Sequence, residues 1–231
     1  KRKDELLYQQ SKMAAMGEMI ENIAHQWRQP LSVIATIATS IKFKIEFDKL
    51  EINTIEESMD NINNSVQHLS ETINDFRDFF KHDDNKKEFF IDKTFKKVFN
   101  LITSQYKIMD IRVIENIEKV GIFGYENELI QVIMNIINNA RDELVKKEDD
   151  ERFIFVDVVK NADNVEISIK DNAGGISEEV IGKIFDAHFT TKENSDGTGI
   201  GLYMSKIIVF GHLNGKIDVN NTEYIYDNCS Y

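Results

Sequence analysis

Four clusters of residues in this chain have types and spacing suited to phosphate chemistry. Asn135-Ile136-Ile137-Asn138-Asn139 lies in an apolar stretch of helical period, so Asn135 and Asn139 stand one turn apart on a shared face. Two carboxamide oxygens on one face can coordinate Mg²⁺, which takes oxygen ligands and keeps waters beside nucleotide phosphates. Gly197-Thr198-Gly199-Ile200-Gly201-Leu202 precedes a helix expected from Leu202, and amides at a glycine-rich helix start bind phosphate. Asp171-Asn172-Ala173-Gly174-Gly175-Ile176 follows a strand signal. Its aspartate can accept a hydrogen bond from an adenine amino group while the glycines admit close backbone approach. Taken singly these are solvated asparagines and ordinary turns; together they read as one nucleotide pocket. The fourth cluster, Ala24-His25-Gln26-Trp27-Arg28-Gln29-Pro30-Leu31, supplies a neutral imidazole able to attack a phosphorus centre.

Long helices must carry His25. Met13, Met16, Ile20, Ile23, Trp27, Ile34, Ile37 and Ile41 recur in steps of three and four, interrupted where Pro30 takes a seam position. A second series runs Ile52, Ile55, Met59, Ile62, Val66, Leu69, Ile73, Phe76 and Phe80. Both are heptad seams. A short connection near Phe47 to Glu51 makes them a hairpin, and one hairpin covers each stripe on one side only, so a homodimeric four-helix bundle is expected. A structural coiled-coil spacer would show the same heptads. Counted from Met13 at position a, His25 falls at f, facing solvent. Pro30 cannot donate to the Gln26 carbonyl and should bend the helix beside it. An ordinary surface histidine is the alternative, and His68 is as exposed on the second stripe; the proline and the polar run Gln26, Arg28, Gln29 favour His25.

The polar run Lys81-His82-Asp83-Asp84-Asn85-Lys86-Lys87-Glu88 has no seam and reads as a linker, dividing the chain into 1–85 and 86–231. Beyond it, helix is expected over Lys93 to Tyr106, Glu126 to Lys147 and Leu202 to Phe210. Strand is expected over Ile111 to Ile114, Phe153 to Val159 and Val165 to Lys170. This mixture is an α+β sandwich of one sheet and one helical layer.

A net charge of −12 argues against a nucleic-acid surface, which needs clustered lysine and arginine. The single cysteine, Cys229, cannot form an internal disulfide and is compatible with a reducing cytosol. The most apolar stretch, Ser32 to Ile41, is interrupted by serine and threonine and too short to span a bilayer, and no signal-peptide core follows the charged start.

In order and spacing these motifs resemble the sensor histidine kinases, whose dimerisation and phosphoacceptor hairpin precedes an ATPase domain of the type shared with gyrase and the Hsp90 chaperones. The resemblance makes His25 the phosphoacceptor of the H box and Asn135 to Ala140 the N box, with Asn139 as Mg²⁺ ligand beside Asn135. Asp171, Gly175 and Ile176 belong to the adenine-reading G1 box, and Phe189 and Lys192 to the F box. Gly197, Thr198, Gly199, Gly201 and Leu202 form the G2 box, and the mobile ATP lid runs from Phe189 to Gly199. It implies ATP and Mg²⁺ as cofactors, autophosphorylation of His25, and transfer to an aspartate on a response-regulator receiver domain. It further implies a homodimer and an N-terminal sensory domain outside this chain. The kinase core would be cytoplasmic, with membrane anchoring of the full-length protein left open.

Some positions depart from the family pattern. Gln26 stands where an acidic residue usually accepts the imidazole proton, and Gln29 where asparagine or threonine positions water for dephosphorylating the partner. Ala173 replaces a glycine and His188 an aromatic. Asn135 replaces the glutamate with which the gyrase and chaperone relatives activate water; an amide cannot be that base, which fits transfer better than hydrolysis. After Gly215-Lys216-Ile217-Asp218-Val219 the family has a glycine turn and another strand, so a truncated C-terminus is expected. A dimeric signalling scaffold with a vestigial nucleotide site is the alternative function.

Overall fold

The computed structural model describes residues 2–47, 52–80, 85–147, 151–192, 199–227 and 229–230, with many side chains of the first two helices, those of His25, Gln26 and His68 among them, outside that description. Two long helices, α1 (Arg2–Glu46) and α2 (Ile52–Phe80), pack along each other. Helix α1 runs through Pro30 without a break. The expected turn at Phe47 to Glu51 lies mostly outside the described residues.

The rest is a two-layer sandwich. Helix α3 (Ile91–Ile108) turns Ile91, Phe95, Val98, Leu101 and Ile102 inward at steps of three and four, the stripe that a one-sided helix needs. Strands β2 (Ile111–Ile117), β4 (Arg152–Lys160) and β5 (Val165–Asp171) form one sheet in the order β2-β4-β5. Strand β2 runs parallel and β5 antiparallel to β4. Helix α4 (Glu126–Leu144) follows β3 (Gly121–Gly124), and α6 (Gly201–Gly211) closes the helical layer after the single turn α5 (Glu178–Ile181).

Strand β4 shows why the sandwich has two covered faces. Alternate residues point to opposite sides, and Ile154, Val156 and Val158 enter the core with α3 and α4. Phe153 and Phe155 face the other way, where the rings of Tyr224 and Tyr226 meet Phe155 edge-on at 4.8 and 5.1 Å between centroids. Tyr224 precedes and Tyr226 ends the short strand β6 (Ile225–Tyr226), which pairs antiparallel with β7 (Cys229–Ser230). Lys216 to Asn220 is irregular.

Two elements correct the sequence-based expectations. The stretch 81–88 is not all linker, because Lys87 and Glu88 open β1 (Lys87–Phe90), which pairs antiparallel with β3. Residues 81–84 lie outside the described residues. The expected helix to Lys147 ends at Leu144, where Val145 caps it.

Helix α4 is fixed at its first turn and in its middle. Its first-turn carboxylate Glu126, favoured there by the helix dipole, accepts hydrogen bonds from Thr94 at 3.1 Å and Lys97 at 2.8 Å. In the middle, the Tyr106 hydroxyl donates to the Ile137 carbonyl at 3.1 Å. Ile137 is 0% exposed, whereas its neighbour Ile136 is only half-buried. Ile137→Ala is therefore expected to cost about 2–5 kcal/mol in urea denaturation, and Ile136→Ala less than half of that. Equal losses would contradict this placement of the core.

Candidate nucleotide site

The two helices that carry the asparagines and the glycine loop run antiparallel and are tied at two points. At one end His212 Nδ1 lies 2.7 Å from Glu128 Oε1. At the other, Asn135 Nδ2 donates to the Gly201 carbonyl at 3.0 Å and to Ser205 Oγ at 3.1 Å. The Ser205 hydroxyl in turn donates to the Gly201 carbonyl at 2.9 Å. Asn135 and Asn139 are both half-buried on α4, while Asn138 between them is buried. Their shared face, expected from the four-residue spacing, therefore adjoins the start of α6.

Asp171 ends β5, and its Oδ1 accepts from the Ala173 amide at 3.0 Å. Burial pushes its carboxyl above the ordinary 3.8 and Glu143 adds to this, while the Ala173 amide and Lys147 oppose it. The loop after it is held on both sides. Asn172 accepts from the Phe153 amide at 2.8 Å and donates to the Glu151 carbonyl at 2.7 Å. Asn221 accepts from the Ile176 amide at 2.9 Å and donates to the Ile176 carbonyl at 2.7 Å, as a strand residue would. A Cβ on Gly175 would lie 2.8 Å from Asn221 Oδ1 and displace that clasp, and the φ of +80° there favours glycine.

The lid candidate is fastened where it begins and ends. The His188 amide donates to the Gly199 carbonyl at 2.9 Å. Gly199 has φ +62°, and a Cβ there would lie 2.5 Å from the His188 carbonyl carbon, an overlap that excludes every other residue. His188 itself takes φ 66°, a conformation uncommon outside glycine. Phe189 is half-buried just beyond it. Lys192 Nζ pairs with Asp142 Oδ2 on α4, and Asp142 Oδ1 accepts from Arg141 Nε at 2.8 Å. Gly197 and Thr198 lie outside the described residues; Gly201 and Leu202 form the first turn of α6.

His25 and Gln26 lie on α1, away from this assembly. Leu7, 5% exposed, packs with Ile200 and Met204 at the start of α6, with Tyr203 and Ile207 against them. His25 is 18 positions further along the same helix, which at 1.5 Å per residue is about 27 Å. Sequence reasoning did not single out Ser205, Asn172, Asn221 or Asp142. Only Ser205 left a signal, as a hydroxyl among Met204, Ile207 and Ile208.

The described arrangement suits a nucleoside triphosphate: a half-buried carboxylate beside two glycines, amides at a helix start, and amide oxygens on the facing helix. With Asn135 donating through its nitrogen, its oxygen is the atom left for a metal, and together with Asn139 this donor set fits Mg²⁺ completed by phosphate oxygens and water.

Residues 124–227 match the family model for histidine kinase-, DNA gyrase B- and HSP90-like ATPases, and residues 15–85 match that for the His Kinase A (phospho-acceptor) domain. Sporulation kinase A of Bacillus subtilis is 28% identical over 96% of this chain and 35% of its own length. The two-component sensor PprA of Pseudomonas aeruginosa is 26% identical over 90% of this chain and 23% of its own. This chain thus spans about a third or less of those relatives. The catalytic domain of histidine kinase ThkA superposes with a TM-score of 0.51 at 24% identity, covering 63% of this chain and 91% of that one; at that identity the likeness concerns the fold.

The raised Asp171 carboxyl has a consequence for stability. A folded-state pKa above the unfolded one costs nothing below the unfolded value, and the cost grows as pH rises to the folded pKa and is constant above it. Asp171→Asn, which keeps an acceptor for the Ala173 amide, should raise the melting temperature near neutral pH and lose that advantage towards about pH 4. It should also weaken ATP binding at least about tenfold, because a carboxylate is the stronger acceptor for an amino group. Thermal melts at the two pH values with a nucleotide titration check both. No gain near neutrality would contradict a carboxyl raised by burial.

Proposed function

This chain belongs to the two-component sensor histidine kinases, whose catalytic core it carries, and we propose that it autophosphorylates His25 from ATP and passes the phosphoryl group to a response-regulator aspartate. The observation that carries this reading is the succession, within one chain, of a phospho-acceptor match over 15–85 and an ATPase match over 124–227. In this reading 1–85 is the dimerisation and phosphotransfer hairpin and 86–231 the ATP-binding catalytic domain.

Asp171 accepts from the adenine amino group, with Gly175 and Ile176 against the base. Amides of the Gly197 to Leu202 segment hold the phosphates, and Phe189 and Lys192 belong to the closing lid. Asn139 and Asn135 are the residues to hold Mg²⁺, which when bound would neutralise phosphate charge and orient the triphosphate. A ring nitrogen of His25 attacks the γ-phosphorus in line. The new N–P bond forms as the bond to the β,γ-bridging oxygen breaks, and ADP leaves. Asn135 cannot take a proton from water, so hydrolysis is disfavoured. Gln26 can hydrogen-bond the imidazole but not accept its proton, so the proton passes to solvent or to a group on another surface.

Because α6 rests against Leu7, the ATPase domain must leave that position to reach His25, a hinge motion of the kind that limits many transfer enzymes. The exposed apolar residues Met13, Ile20, Leu31, Met59 and Val66 on α1 and α2 support a homodimer in which a second hairpin covers them. A receiver domain is the downstream partner, a sensory domain lies outside this chain, and the kinase core works in the cytoplasm. No helix among the described residues is long and apolar enough to cross a membrane.

Incubation with γ-labelled ATP and Mg²⁺ tests the reading. An acid-labile, base-stable label is expected on the protein and not on His25→Ala, with ATP binding unchanged by that substitution. Bound ATP without label would favour the scaffold reading, and label persisting in His25→Ala would place the phosphoacceptor elsewhere.

A further inference from the structure

We propose that Ser205 is a positioning residue for the phosphoryl-transfer site, setting the orientation of the Asn135 carboxamide so that its oxygen, not its nitrogen, faces the metal and phosphates. The inference rests on the nucleotide-binding reading above and adds to it a residue that acts through Asn135.

A carboxamide can sit in its site in two ways related by a half-turn, exchanging a two-proton donor for an acceptor. Only one is useful to a cation. Around Asn135 the choice is made by α6. The amide nitrogen faces two acceptors, the Gly201 carbonyl at 3.0 Å and Ser205 Oγ at 3.1 Å, one for each of its protons. Ser205 is free to accept because its own proton is already given to the Gly201 carbonyl at 2.9 Å, a bond to the carbonyl four residues back that helical serines commonly make. The three groups thus close a ring in which every donor has an acceptor. Turning the amide over would set Asn135 Oδ1 against the Gly201 carbonyl, acceptor to acceptor.

Burial makes this choice firm. Ser205 is 0% exposed, between Met204 at 1% and packing that also buries Ile208, so water does not compete for its hydroxyl and an unmade bond there is not replaced. A Cβ at Gly201 would stand 3.7 Å from Asn135 Oδ1, in ordinary contact with it. The same bonds join α4 to the first turn of α6, and so fix the amide oxygen and the phosphate-facing backbone of the glycine loop relative to each other. A second joint, between Glu128 and His212, holds the far ends of the helices.

A double-mutant cycle separates positioning from simple packing. Nucleotide affinity of the full chain is measured with a fluorescent ATP analogue, in Mg²⁺ and in EDTA, for the wild type, Ser205→Ala, Asn135→Ala and the double variant. Ser205→Ala should weaken binding about tenfold in Mg²⁺ and by less than about twofold in EDTA, and should have no further effect once Asn135 is alanine. Ser205→Cys, which fills the same space with a weak acceptor, should reproduce that loss and serves in its place if the alanine variant does not fold. Equal losses with and without Asn135, or with and without Mg²⁺, would overturn the inference, as would no loss in the Asn135 background. A wild type that binds no nucleotide would overturn the kinase reading and this inference with it.

Discussion

The pairing of α4 with α6 is the constraint on which the candidate site depends. One surface of α4 must be apolar enough to lie on the sheet, and Ile133, Ile137 and Leu144 are among the most deeply buried side chains of the protein. The adjoining surface must stay polar for a nucleotide, so α4 cannot be held there by hydrophobic packing. Hydrogen bonds take over that task, from Asn135 to Gly201 and Ser205 and between Glu128 and His212. Each is worth only about 1 kcal/mol net, yet each places a donor or acceptor to within a few tenths of an ångström, which packing of flexible apolar side chains does not.

The rest of the pocket is arranged around that joint. Asn172 and Asn221 hold the loop after Asp171 from opposite sides, and the His188 to Gly199 bond closes the base of the lid candidate. The Lys192 and Asp142 pair ties the entry of that candidate to α4 once more. The contact of Leu7 with Ile200 and Met204 couples this assembly to α1, so the position of the upstream helix and the position of the pocket are not independent.

Much of this was legible in the sequence because period and composition agreed. The heptads of α2, the helix expected at α3 and the β-branched runs of β4 and β5 each stood close to their observed bounds, since long periodic segments carry their own register, whereas α1 begins at Arg2, eleven residues before its first seam position at Met13. Strands β1 and β3 were not legible: Lys87 to Phe90 has no alternation, Gly121 to Gly124 is half glycine, and four residues are too few for a period to show. Their pairing is decided by tertiary contact. The site divided in the same way. The asparagines, Asp171 and the glycines announced themselves by type and spacing, while Asn172, Asn221 and Asp142 are ordinary loop and helix residues until the fold brings them to a backbone or a lysine. Ser205 is intermediate, visible as a hydroxyl on an apolar helix, but with a partner 70 residues away in sequence.

The central claim is that one pocket, built where α4 meets α6 and the loop after β5, receives ATP. Titrating isotope-labelled protein with ATP and Mg²⁺ and following its ¹H–¹⁵N spectrum tests it most directly. Binding at this pocket predicts saturable shifts of the Gly175, Gly199 and Gly201 amides and of the Asn135 and Asn139 side-chain amides, all with one dissociation constant. Shifts confined to α1 and α2, or saturation that leaves the asparagine side chains unmoved, would contradict it.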